Sequence, residues 1–144
     1  MVGLRALNLV SLNENDRALV EKARLHLKKH ASEISSVSAG LRTLRGNEFF
    51  GLCIDAKTAT VGVCAEFNAI GTMVSSGERR IGTIVAVTGK HGSYAILPPC
   101  GKCRDFIRSF GNPFVVLQVG KRIGDSKKVR LSELTPFPWD ERKS

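Results

Sequence analysis

Apolar residues along this chain recur at two different intervals, and the switches between them predict its elements. Leu19, Val20, Ala23 and Leu27 fall three or four apart, which makes one face of a helix apolar. Asn13 to Asp16 offer capping side chains at its start, and Lys28, Lys29 and His30 set cations against the negative end of its dipole. His26 and His30 fall on its solvated side. Residues 36–44 (SVSAGLRTL) and 48–54 (EFFGLCI) read as two strands joined across Arg45-Gly46-Asn47. A second helical stretch runs from about Cys64 to Ser75 and stops at Gly77. Thr83–Val87 (TIVAV) is the short β-branched run of a buried strand. Tyr94–Leu97 is another extended piece, ended by Pro98-Pro99. Gly101–Phe110 reads as a helix with Phe106, Ile107 and Phe110 inward, and Gly111-Asn112-Pro113 closes it. Phe114–Val119 (FVVLQV) is a further strand, Val129–Leu131 is short and extended, and the proline-bearing tail Thr135–Trp139 is not helical. Helices alternate with strands after residue 55, so the class is α/β with helices covering a sheet.

The 144 residues suit one domain spanning 1–144, with no repeat, low-complexity tract or long linker. Four cysteines are too few for a disulfide scaffold. No apolar run approaches the ~20 residues that span a bilayer, and the N-terminus lacks the pattern of a secretory signal. The expectation is a cytoplasmic protein with reduced thiols and no membrane partner. The net charge of +9 raises nucleic acid as a partner. The basic groups are spread out, however, with a surplus of three over residues 1–63 and six over 64–144. Only Lys121, Arg122, Lys127, Lys128 and Arg130 gather, around Gly120, Gly124 and Asp125. They read as a solvated hairpin tip, with a polyanion-binding edge as the rival. No interleaved aromatics accompany them, which makes nucleic acid the unlikely partner.

The chemistry concentrates in the cysteines. Cys100-Gly-Lys-Cys103 puts two thiols at the start of a predicted helix, where free N–H groups favour thiolates. Alone, the pair fits a redox couple or half a zinc site. Cys64 also opens a predicted helix. Three thiolates can fill three of zinc's four tetrahedral positions and leave the fourth open for water, as a catalytic site requires. Cys53 and three histidines are the only soft candidates for a fourth ligand, and none stands at a paired spacing. Glu66, two residues after Cys64, stays near such a metal without ligating it. A carboxylate there can take a proton from metal-activated water and deliver it to a leaving amine, although a first-turn glutamate can also simply complement the helix dipole.

Cys64-Ala65-Glu66 followed by Pro99-Cys100-Gly101-Lys102-Cys103-Arg104 resembles the zinc signature of the cytidine deaminase superfamily. With cysteine as first ligand, it is similar to the small free-nucleoside enzymes. Cys64–Gly71, Val74–Gly77, Thr83–Val87 and Asp105 look closest to the blasticidin S deaminases. The resemblance runs from about residue 36 onward. It implies a three-layer α/β/α fold around a mixed, mostly five-stranded sheet, a homotetramer, zinc held by Cys64, Cys100 and Cys103, and Glu66 as catalytic acid and base. The implied reaction is hydrolytic deamination of a free cytosine-type nucleoside or analogue; the rivals are another amino-heterocycle, or a zinc-stabilised basic protein that binds nucleic acid.

Substrate contacts follow from the same resemblance. The family reads ribose with an asparagine and a glutamate, at the positions of Cys53 and Asp55 here. Asp55 keeps a carboxylate; Cys53 lacks the amide's paired donor and acceptor and also fits a small buried thiol. Ser35 stands where the family carries a phenylalanine, and Phe67 where an arginine often follows the catalytic glutamate. Arg104 and two helix N-termini are left to offset the charge of three thiolates. Ala65 and the carbonyl of Pro98 join the expected contacts. Leu134–Asp140 is similar to the family's C-terminal segment, which makes Phe137 the aromatic near a neighbouring subunit's site. Phe137 and Trp139 read either as a lid or as interface packing. His91, between Gly89-Lys90 and Gly92-Ser93, reads as an exposed loop residue.

Overall fold

The computed structural model describes residues 6–90 and 92–140. His91 therefore lies outside the described residues. The elements are β1 (Val10–Ser11), α1 (Glu14–His30), β2 (Val37–Thr43), β3 (Glu48–Leu52), α2 (Ala65–Ser75), β4 (Ile81–Lys90), β5 (Ser93–Leu97), α3 (Gly101–Ile107), β6 (Phe114–Gln118), β7 (Ser126–Arg130) and α4 (Leu131–Leu134). The sheet runs β1-β7-β6-β4-β2-β3. β5 pairs with β4 beyond this path, beside β6, because β4 is long enough to serve both. Among the described residues only the β4–β6 pairing is parallel, and its crossover passes through β5 and α3. The sheet is mixed and seven-stranded rather than five-stranded, counting the two-residue β1.

Alternation along the strands divides the core into two layers. Val85, Val87 and Val116 face α1 and pack with Leu19, Val20, Ala23 and Leu27. Ala39, Leu41, Ile84 and Val115 face the other way and pack with Ala69, Ile70 and Met73 of α2 and Ile107 of α3. The result is the expected three-layer α/β/α arrangement. Asn13 caps α1 with a reciprocal pair of bonds: Asp16 N–H donates to Asn13 Oδ1 (2.8 Å) and Asn13 N–H donates to Asp16 Oδ2 (3.1 Å).

The basic cluster is only in part the solvated tip expected of it: Lys121 and Arg122 are exposed in the turn, but Lys128 is not. Lys128 is buried and donates to Asp16 Oδ2 at 2.7 Å, while Arg42 of β2 donates to Asp16 Oδ1 at 2.6 Å. Asp16 is 0 % exposed, so this triad ties α1 to two strands of the sheet. Arg130 lies over the Phe114 ring and donates to the Asn112 carbonyl, and Lys127 donates to Ser11. Alternation explains the departure: Lys127 and Lys128 sit on opposite faces of a strand, so adjacent charges cannot share one surface.

Smaller differences are local. The strand expected at 83–87 extends over Ile81–Lys90 because the β4–β5 hairpin continues its pairing. The helix expected through Phe110 ends at Ile107 and tightens into a 3-10 turn, leaving Phe106 and Phe110 half-buried. Leu131 starts the four-residue α4 instead of ending a strand. His30 is exposed, whereas His26 is half-buried against the Phe50 ring at 5.7 Å.

Candidate metal centre and catalytic cavity

Two helices end at the same place. Cys64 is the N-cap of α2 and Cys100 the N-cap of α3, and Cys103 lies in the first turn of α3. Their three Sγ atoms lie within 4.8 Å of one another. The cup works because β2, β3 and β4 carry α2 and α3 side by side on one face. α2 sits very close to β3: a Cβ on Gly51 would fall 2.6 Å from the carbonyl carbon of Asn68, and Asn68 Nδ2 donates to the Leu52 carbonyl at 2.6 Å. Glycine at 51 is what allows that approach.

The donor set fits zinc. Tetrahedral zinc with Zn–S of ~2.3 Å needs sulfurs ~3.8 Å apart, a small contraction of the cup. Three clustered thiols as the ligand set match a soft-to-borderline cation. Their protonation is split. Burial raises Cys64 above its ordinary value. Burial acts upward on Cys100 too, but hydrogen bonding from Cys103 and Cys64 outweighs it and holds Cys100 low. Burial and the neighbouring Glu66 carboxylate push Cys103 strongly upward. A cation in the cup would relieve the repulsion that keeps three thiolates from coexisting.

Glu66 is buried on the first turn of α2, with Oε2 3.6 Å from Cys103 Sγ. Burial raises its carboxyl above the ordinary range. Cup and carboxylate share a cavity of about 170 Å³, walled by Val37, Cys53, Ala65, Ala86, Leu97 and Pro98. Pro98 and Cys100 are exposed, so the cavity opens along that rim.

Of the residues singled out from the sequence, Cys64, Ala65, Glu66, Cys100, Cys103, Cys53 and Pro98 all meet here. Cys53 is buried, and its sulfur accepts from the Ser36 N–H at 3.3 Å. Asp55 is exposed, holds the strand end through a backbone bond to Ile34, and is not among the lining residues. Phe137 and Trp139 are 94 % and 77 % exposed and do not line the cavity either. Arg104 donates to the Pro99 carbonyl (2.8 Å) and the Leu134 carbonyl (3.3 Å), bracing the loop before Cys100 against the tail. At position 67 a phenylalanine stacks on Phe106 at 4.2 Å between ring centroids, with Lys102 Nζ over the Phe67 ring at 4.8 Å.

The wall residues Val37 and Ala86 carried no functional signal in the sequence. Ala86 offers the one usable hint, a small residue in an otherwise bulky strand, where a larger side chain would fill the cavity.

A thiolate cup open on one side, with a buried carboxylate at its edge, is suited to activating water; the class is a zinc hydrolase. Residues 13–119 match the family described as the cytidine and deoxycytidylate deaminase zinc-binding region. The blasticidin-S deaminase of Bacillus cereus is 31 % identical over 136 residues, covering 90 % of this chain and 95 % of that protein. A cytidine deaminase of Mycoplasma genitalium is 29 % identical over 96 residues, 65 % of this chain and 72 % of that one. The crystal structure of a cytidine deaminase from Burkholderia pseudomallei superposes with a TM-score of 0.71 at 26 % identity, covering 89 % of this chain and all of that one (100 %). The chain belongs to the cytidine and deoxycytidylate deaminase family. It is a zinc-dependent hydrolytic deaminase acting on cytidine-type substrates.

Proposed function

We propose that the substrate is a free cytosine-type nucleoside or nucleoside analogue, of the cytidine, deoxycytidine or blasticidin S kind, and that Glu66 carries the proton traffic. The observation that carries this is the placement of one buried carboxylate at the edge of a three-thiol cup inside a ring-sized cavity. Zinc held by Cys64, Cys100 and Cys103 supplies Lewis acidity that makes water nucleophilic near neutral pH. Glu66 accepts a proton from the attacking water and passes it to the ring nitrogen beside the reacting carbon. The second proton of that water reaches the amine through the same carboxylate. The C–N bond then breaks, ammonia leaves and a keto group remains, so one water is consumed for each ammonia released. Ala65 and Pro98 line the cavity, and their backbone groups are the polar contacts we assign to the ring edge and the leaving amine. Arg104 positions Pro98 indirectly through the Pro99 carbonyl.

The tail supports a homotetramer. Phe137 and Trp139 are large apolar rings exposed on the single chain, and a neighbouring copy gives them something to cover. Among the described residues no helix is long and apolar enough to cross a membrane. We place the enzyme in the cytoplasm, where the free thiols stay reduced.

Incubation with cytidine, deoxycytidine and blasticidin S, followed by ultraviolet absorbance and ammonia release, tests the reading. Deamination of none of the three by zinc-loaded protein refutes it.

A further inference from the structure

We propose that Arg104 is a positioning residue for the metal centre. Its guanidinium bridges the loop that carries Pro98 and Cys100 to the root of the C-terminal tail, and it acts through this bridge rather than through its charge. The inference rests on the deaminase reading above and concerns what holds that site in shape.

The loop needs a hold from outside itself. β5 ends at Leu97 and α3 begins at Gly101, so Pro98, Pro99 and Cys100 belong to neither. Pro98 and Pro99 have no N–H, so hydrogen bonds can fix them only through their carbonyls. Pro99 is buried, but Pro98 and Cys100 on either side of it are exposed, and packing restrains them little. Yet both line the cavity, and Cys100 supplies one of the three sulfurs of the cup.

Arg104 provides that hold from one turn into α3. Its backbone N–H donates to the Cys100 carbonyl at 2.9 Å, and its Nε donates to the Pro99 carbonyl at 2.8 Å. Its Nη1 donates to the Leu134 carbonyl at 3.3 Å. The far end of the bridge is itself anchored. Leu131 of α4 is fully buried, and its N–H donates to the Pro113 carbonyl at 2.9 Å. The Asn112 side chain bonds both the N–H (2.9 Å) and the hydroxyl (3.1 Å) of Ser132.

Arginine suits this task and lysine does not. A guanidinium is a planar fork whose donors hold two carbonyls in fixed directions at once, whereas an ammonium is a point charge on a flexible stem. Offsetting the charge of the thiolates and bridging two segments are therefore separable roles: Arg104→Lys keeps the first and loses the second.

The test uses the full chain with Arg104→Lys and with Arg104→Met. Zinc Kd is read by chelator competition; kcat and KM are read at saturating zinc on whichever of cytidine, deoxycytidine and blasticidin S the wild type deaminates. Loss of a group that orients metal ligands costs ~10–100-fold in metal affinity or activity. Both variants should bind zinc at least about tenfold more weakly and lose at least about tenfold in kcat, with KM within about threefold of wild type. A smaller loss in either readout overturns the proposal, and full function in Arg104→Lys alone assigns the residue to charge instead. A lower melting temperature with both readouts intact makes Arg104 merely structural, and a rise in KM beyond that limit places it on the substrate; either result overturns the proposal too. Arg104→Lys keeps the stem and the charge, so it decides the matter if Arg104→Met does not fold. A wild type that deaminates none of the three compounds defeats the deaminase reading instead, and the zinc Kd then judges Arg104 by itself.

Discussion

Gly51→Ala tests whether the close packing of α2 on β3 is what places the catalytic groups. The added Cβ would lie 2.6 Å from the Asn68 carbonyl carbon and 2.7 Å from its Cβ, and closer still to the Ala69 nitrogen. Carbon atoms pack at ~3.5 Å or more, so α2 and β3 must part by about 1 Å. These are backbone atoms of a helix and cannot swing aside as a long side chain could. Overpacking of this kind costs ~1–3 kcal/mol, and the Asn68–Leu52 bond is stretched as well. Asn68 stands one turn from Cys64, to whose carbonyl its own N–H donates at 3.3 Å, so the displacement reaches Cys64 and Glu66. A 1 Å error in a catalytic group costs ~10²-fold in rate. The expected result is a loss of ~2 kcal/mol in urea unfolding and a fall in kcat of about a hundredfold, measured with zinc content matched to wild type. Gly46→Ala is the control. Gly46 has φ of +89° but nothing near its Cβ position, so its strain stays in the β2–β3 turn. It should lose ~1 kcal/mol and keep full kcat. Equal kcat for Gly51→Ala and wild type would refute the view that this approach sets the site.

Glu66→Ala should retain zinc and unfold within about 1 kcal/mol of wild type, yet lose 10²–10⁴ or more in kcat, read as ammonia release; activity surviving in that protein would sink the proton-transfer role. Cys103→Ala removes a buried member of the cup and should lower zinc stoichiometry, measured by elemental analysis, and with it the melting temperature. Chelation of the wild type should lower its melting temperature too, and bring Cys103→Ala and wild type closer together. Asp16→Asn strands two cations that are 10 % and 17 % exposed and should cost ~3 kcal/mol in urea unfolding. Burial alone would raise Asp16, but hydrogen bonds from Lys128, the Asn13 N–H and Arg42 outweigh it and hold the carboxyl below its ordinary value. Its contribution is therefore full above the unfolded value of ~3.9 and fades as pH falls through the lower folded value. The gap between wild type and Asp16→Asn should close below about pH 4, and a gap that widens there would contradict the assignment.

The parts of this protein that were legible in its sequence are those that chemistry ties to short spacings. Cys64 with Glu66, and Cys100 with Cys103, each lie within one helical turn, so local geometry alone makes each pair, and only the meeting of α2 and α3 on the sheet joins them. The α1 face was legible for the same reason, since Leu19, Val20, Ala23 and Leu27 repeat with the helix itself. What failed was long-range. Lys128 lay among exposed cations in the sequence, and only the pairing of β6 with β7 turns it toward Asp16, 112 positions earlier. The cavity wall was opaque for a related reason. Val37, Cys53 and Ala86 come from different segments, and each has the composition of ordinary core. An apolar wall carries no chemical signature that sets it apart from the rest of the core. The three cysteines and Glu66 were therefore readable from spacing, while the wall of their cavity became readable only once β2, β3 and β4 had assembled around the cup.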